Sequence, residues 1–189
     1  MTPLRPGGRK HLVPHIRSAT SHDRDDIRDV HLCAFPEHEN LRVARLAVNL
    51  LNEETEPETV NLVGEVRGRV VGHIAFSPVF AGDDDNRLGY ILAPLGVRPE
   101  YQGGGLASKL VENGIERLAV QGVDAVFVYG DPKFYGRFGF TAGTATKYLP
   151  PYDLQFPFGW QANFLHGEGS RDQVVRISCV ASLRDPTLW

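Results

Sequence analysis

Apolar residues recur along the chain first at helical and then at strand spacing, and that change of period outlines the fold. Between Thr20 and Phe35, the residues Ile27, Val30, Ala34 and Phe35 share one helical face, and Thr20 followed by Asp23 has the form of a capping box. After Pro36 a second stripe, Val43, Leu46, Ala47, Leu50 and Leu51, runs until Glu53, Glu54 and Glu56 close it before Pro57. The short polar stretch between the two, with Glu37 and Glu39, reads as a loop. The period then shortens: residues 59–66 and 69–77 are rich in Val and Ile and flank Arg67-Gly68, which predicts an antiparallel hairpin. Pro78 is expected to end or bend its second strand.

Residues 88–97 form another strand, interrupted by Pro94, which a regular central strand tolerates only at a bulge. Leu106, Leu110, Val111, Gly114, Ile115 and Leu118 make a helical stripe, and Gly122 stands where that helix would stop. Residues 124–129 are a nearly continuous apolar run, suited to a strand covered on both faces. Strand, glycine-rich turn, helix and strand in this order make a right-handed crossover with parallel strands. Residues 134–138 predict a short aromatic helix, residues 149–159, with three prolines, an irregular segment that could lie over a pocket, and residues 174–180 a late strand. The expected fold is a mixed α/β (α+β) domain whose largely antiparallel sheet has about seven strands, with helices on both faces.

Composition adds limits. A chain of 189 residues, 42% hydrophobic and 23% charged, suits one domain, placed at 16–189 behind a flexible leader at 1–15 rich in Pro and Gly. A formal charge of -3 with scattered basic residues argues against a nucleic-acid partner. The leader lacks the apolar run of a secretory signal, and no stretch of about 18 apolar residues suggests a membrane span, so a cytoplasmic setting is expected. Cys33 and Cys179 fall on a helix and a strand without metal-like spacing and read as reduced, buried, small apolar residues. The acidic run Asp83 to Asp85 reads as a solvated turn, His73 as a core or hydrogen-bonded residue, and the seven histidines together as no metal site.

Candidate chemistry centres on Gln102, Gly103, Gly104, Gly105, Leu106 and Ala107, which follow a strand and open a helix. Glycines let the backbone approach a ligand closely, and the free N–H groups of a first helical turn favour an anion. The same run also suits a tight strand-to-helix connection without a ligand. A Walker A loop is excluded because Gly105-Leu106-Ala107 offers neither its lysine nor its hydroxyl. A dinucleotide fingerprint is matched imperfectly by Gly103, Gly105 and Ser108, and the upstream hairpin does not belong to a doubly wound sheet.

Gln102, Gly105 and Ala107 fit the pyrophosphate motif Q/R-x-x-G-x-G/A of the GCN5-related N-acetyltransferase (GNAT) superfamily. The resemblance continues upstream through Ala93-Pro94-Leu95-Gly96-Val97-Arg98-Pro99-Glu100-Tyr101. Downstream it runs through Tyr129-Gly130-Asp131-Pro132-Lys133-Phe134-Tyr135-Gly136-Arg137-Phe138-Gly139-Phe140. Together these are similar to the bacterial YhbS-type subgroup, and element order agrees over about residues 16–145. The resemblance implies acetyl-CoA as co-substrate, held in a V-shaped opening between the fourth and fifth strands. Leu95, Gly96 and Val97 would lie along pantetheine, with backbone groups of Leu95 and Val97 presented to it. Gln102 and the amides of Gly103, Gly104, Gly105, Leu106, Ala107 and Ser108 would hold the pyrophosphate, and Tyr135 would protonate the departing thiolate.

The bland alternative for Tyr135 is an aromatic core position beside Phe134, Phe138 and Phe140. Glu37, Glu39 and Asp131 are candidate general bases, each of which reads equally as a solvated carboxylate or a helix cap. The expected acceptor is a primary amine on a small molecule or peptide. It would enter between the first two helices and residues 148–160, where Phe156, Phe158 and Trp160 could form an aromatic wall. A non-catalytic acyl-CoA-binding module is the alternative activity, and a homodimer through residues 174–180 is a possible assembly.

Overall fold

The computed structural model of the chain describes residues 14–82, 87–167 and 173–189. Most of the expected leader and the acidic run Asp83 to Asp85 therefore lie outside the described residues. His15, placed in the leader by composition, instead opens strand β1 (His15–Ser18), which pairs antiparallel with β2. Asp23 accepts from the Thr20 backbone N–H at 2.8 Å and from Arg17 through two 2.8 Å bonds, which fixes the turn leading into α1 (Arg24–Ala34). Ile27, Val30 and His31 form the buried stripe of α1. Helix α2 (Glu37–Asn52) begins only two residues later, so Glu37 and Glu39 sit in its first turn and not in a loop. Carboxylates there face the positive end of the helix dipole.

The expected hairpin is β2 (Val60–Val66) and β3 (Arg69–Ala81), joined by Arg67 at φ 53° and Gly68 at φ 77°. Pro78 does not end β3. Pairing with β2 stops at Phe76 and pairing with β8 (Val175–Cys179) starts at Val79, so proline occupies the changeover, where its missing N–H is tolerated. Strand β4 (Arg87–Val97) pairs with β3, and its register shifts between Ile74 and Phe76, so that Ala93 and Pro94 together oppose Ala75. The proline-marked bulge is thus present.

Helix α3 (Leu106–Val120) crosses to β5 (Ala125–Tyr129), which lies parallel to β4. A short α4 (Pro132–Tyr135) with a following 3₁₀ turn is the expected aromatic helix. Strands β6 (Tyr148–Leu149) and β7 (Trp160–Phe164) complete an eight-stranded sheet whose main path runs β1-β2-β3-β4-β5-β7. The count exceeds the expected seven because β1 and the two-residue β6 carry little apolar signal. Strand β8 pairs with β3 through Ile177, Ser178 and Cys179 and with β6 through Val175 and Arg176.

Apolar side chains on the two faces of the sheet build separate clusters. Leu46 and Leu50 of α2 pack with Ala75, Ile91, Phe127 and Trp160, whereas Leu110, Val111 and Leu118 of α3 pack with Ile74, Phe76, Leu92 and Val126. Cys179 is buried in β8, but Cys33 is exposed on α1, contrary to its expected burial. It falls two positions past His31, the last buried residue of that helix.

Candidate active site

Strands β4 and β5 stay together for only three residue pairs, Tyr90 with Val126, Ile91 with Phe127 and Leu92 with Val128. Beyond them β5 continues against β7, while β4 keeps β3 alone. The bulge at Ala93 and Pro94 falls at this divergence. Arg98 N–H donates to Val71 O at 2.9 Å, so alternation along the strand directs the backbone groups of Gly96 and Arg98 toward β3 and those of Leu95 and Val97 toward the opening. The Gln102 side chain donates to Val97 O at 2.9 Å, tying the glycine turn to the strand end. Of the Leu95 and Val97 groups, the carbonyl of Val97 is therefore already engaged.

Gly103 at φ 72° and Gly105 at φ 82° adopt the left-handed backbone that the turn needs, and a Cβ on either would meet nothing within 4 Å. The turn is open above. Gly105 is the N-cap and brings no side chain, and the first intrahelical bond runs from Lys109 N–H to Gly105 O at 3.1 Å. The N–H groups of Leu106, Ala107 and Ser108 are accordingly left for another acceptor. The Leu106 side chain points the other way, against Gly64 and Gly72, where added Cβ atoms would come within 2.7 and 3.1 Å of it. Its burial holds the helix end while its amide stays free.

A hollow of about 260 Å3 gathers Val97, Gln102, Gly103, Gly105, Leu106, Ala107 and Ser108 on one side with Phe134 and Arg137 on the other. Gly104 adjoins it in the same turn. Larger hollows exist; one of about 520 Å3 lies near Tyr90 and Arg117, at the start of β4 and away from the divergence. Arg137 had no part in the sequence reading of the site. Its guanidinium lies 4.7 Å from the Phe134 ring centroid and 5.4 Å from that of Phe138, and its Nε donates to Phe134 O at 3.2 Å. It forms no ion pair among the described residues. A cation poised this way opposite the free amides adds to an anion site.

Tyr135 closes α4. Its ring packs edge-on against Phe134 at 4.9 Å and Phe140 at 5.9 Å between centroids. It also lies over Gly130, where a Cβ would come within 2.3 Å of Cε2. Burial pushes the phenol above its ordinary pKa, so it keeps its proton at neutral pH. Asp131 caps α4, its carboxylate accepting from Lys133 N–H at 2.9 Å. Trp160 is no free wall: it stacks on Phe127 at 5.7 Å and donates to Tyr148 O at 2.7 Å. Phe156 and Phe158 are exposed beside it, and Gly159 O accepts from Gly130 N–H at 2.9 Å, which ties this segment to the end of β5.

A model of the acetyltransferase (GNAT) family matches residues 24–140. The chain belongs to that family. Its GNAT sequence is 38% identical over 146 residues, 76% of this chain and 78% of the relative, to the Escherichia coli K12 protein YjhQ, described as an uncharacterized N-acetyltransferase. It is 45% identical over 84 residues to E. coli K12 YhbS, described likewise, covering 43% of this chain and 49% of that one. The crystal structure of E. coli YhbS in complex with CoA superposes with a TM-score of 0.80 at 26% identity, over 97% of each chain. A GNAT acetyltransferase from Brucella melitensis in complex with acetyl-CoA gives 0.69 at 29% identity, over 91% of this chain and 99% of that one. The GNAT fold and the likeness to YhbS are thus as the sequence motifs implied. Among the described residues no helix is long and apolar enough to cross a membrane.

Proposed function

We propose that this GNAT protein transfers an acetyl group from acetyl-CoA to a primary amine of a small molecule or peptide. The observation that carries the proposal is the parting of β4 from β5 after Leu92 and Val128, with the open glycine turn at its rim. In this reading the outward groups of Leu95 and the N–H of Val97 bond the pantetheine amides. The N–H groups from Gly103 to Ser108 hold the pyrophosphate, with Arg137 facing them. The CoA and acetyl-CoA bound by the two solved relatives support the same ligand.

The neutral amine attacks the thioester carbonyl, forming the new C–N bond and a tetrahedral oxyanion. Collapse breaks the C–S bond, and Tyr135 gives its proton to the departing sulfur. The attacking nitrogen loses a proton to solvent or a base. Burial makes the Tyr135 phenol a weaker acid than a free one, so in this reading its donation is driven by the negative charge that gathers on sulfur as the C–S bond breaks. Phe156 and Phe158 border the route by which the amine enters.

A second reading, an acyl-CoA-binding module without catalysis, is favoured by one feature: no carboxylate lies on β4 between Ile91 and Val97. Asp131 is occupied as a cap, and Glu37 and Glu39 belong to α2. The test is thiol release from acetyl-CoA across a panel of primary amines. Amine-dependent release supports the transferase; tight acetyl-CoA binding with no release from any amine supports the module.

A further inference from the structure

Behind the β4 edge that this proposal gives to acetyl-CoA stands a buried pair of imidazoles. Gly96 lies opposite His73 in the β3–β4 register, and its missing side chain leaves a gap on the α1 face of the strand. His31 of α1 fills that gap: a Cβ at position 96 would lie 2.7 Å from His31 Nδ1 and 2.8 Å from its Cε1. His31 Nε2 is 2.8 Å from His73 Nδ1, and His73 Nε2 is 3.2 Å from Asn61 Oδ1. The Asn61 amide N–H donates to Leu50 O at 3.2 Å, leaving Oδ1 as the acceptor.

That order assigns the tautomers by hydrogen-bond logic: His73 donates from Nε2, and so does His31. His31 Nδ1 is left as a buried acceptor with no partner among the described residues. Both rings have no exposed surface. A leucine would fill similar space without orphaning an acceptor, so packing alone does not account for an imidazole here. What the imidazole adds is a directional link, since one ring touches β4 at Gly96 while bonded to β3 and, through Asn61, to β2.

We infer that His31 is a positioning residue for the cofactor strand, bridging Gly96 and His73 so that residues 95–97 keep their outer edge set for pantetheine. The inference rests on the proposed function, because it presumes acetyl-CoA in the β4–β5 opening.

Calorimetric titration of the full chain with acetyl-CoA tests it. Gly96→Ala should weaken binding by about tenfold or more, since its methyl must push away either the strand or the ring. Adding His31→Ala to Gly96→Ala removes the ring and should recover most of that loss. His31→Gln, which keeps a donor near the place of Nε2, should bind more tightly than His31→Leu. In turnover, His31→Leu should raise KM for acetyl-CoA while kcat at saturation stays within about twofold. A Gly96→Ala protein of wild-type affinity overturns the inference, as does a His31→Leu protein that melts lower but binds acetyl-CoA unchanged. Either result leaves the proposed function standing. A wild-type protein that takes no acetyl-CoA removes both.

Discussion

Tyr135, buried among Phe134, Phe140 and Gly130, holds its proton at neutral pH, as the acid of the proposed reaction must. Tyr135→Phe should lower kcat about 100-fold and leave acetyl-CoA affinity within about threefold, because it removes one oxygen and no packing. Stopped assays with parallel titrations check this, and an unchanged kcat would make Tyr135 a packing residue only. The buried histidines make a separate demand. Burial holds His31 down to about 3 and His73 well below 6.5. Below pH 6.5 the unfolded chain therefore binds protons that the folded chain refuses, and stability falls by about 1.4 kcal/mol per pH unit for each ring. The Asp23 carboxylate acts on His73 in the opposite direction but is itself held by Arg17. Lowered to about 2 from 3.8, Asp23 loses its own contribution only at still lower pH. Urea midpoints at pH 7 and 5 should show the drop; equal midpoints would contradict it. Of these residues, Tyr135 could be proposed from the sequence because it lies in a motif of specific spacing. His31 was not, since a polar residue on an apolar stripe signals nothing until its partner on another strand is known. Arg137 sat within the quoted motif, but its role depends on two rings that hold it over the turn.

Elements were legible where their signal is local. The β2–β3 hairpin follows from Arg67-Gly68, the bulge in β4 from Pro94, and the stop of α3 from Gly122, which has φ 72°. What escaped needed distant partners: β1 has a single aliphatic residue, Ile16, and β3 runs through Pro78 only because β8 takes over where β2 ends. Glycines show how one residue type plays two parts. Gly114 on α3 meets Phe76, whose Cε2 would lie 2.1 Å from an added Cβ, whereas Gly105 meets nothing. Gly114→Ala should thus cost about 2 kcal/mol or more of stability through overpacking. Gly105→Ala should cost about 1 kcal/mol, for its left-handed backbone, but weaken acetyl-CoA binding about tenfold by placing a methyl over the turn. Denaturant melts with titrations on both variants distinguish the two roles, and equal binding by Gly105→Ala and wild type would remove the turn from the site.

At the scale of the whole molecule, a sheet that is continuous from β1 to β5 opens on one side of β4 just where a helix start and a cation face the gap. Two helices seal one face and α3 the other, so the unpaired edge is held by a core on each side. Family membership supplies the fold and a class of chemistry; in the proposed reading the acceptor is chosen by the segment carrying Phe156 and Phe158, which lies beyond the matched residues 24–140. The most direct test of the account is calorimetric titration of the intact protein with acetyl-CoA, with NAD as the control ligand. The account predicts one saturable acetyl-CoA site per chain, micromolar affinity, about tenfold weaker binding in Gly105→Ala and no heat from NAD. Absence of acetyl-CoA binding, or binding that Gly105→Ala leaves untouched, would contradict it.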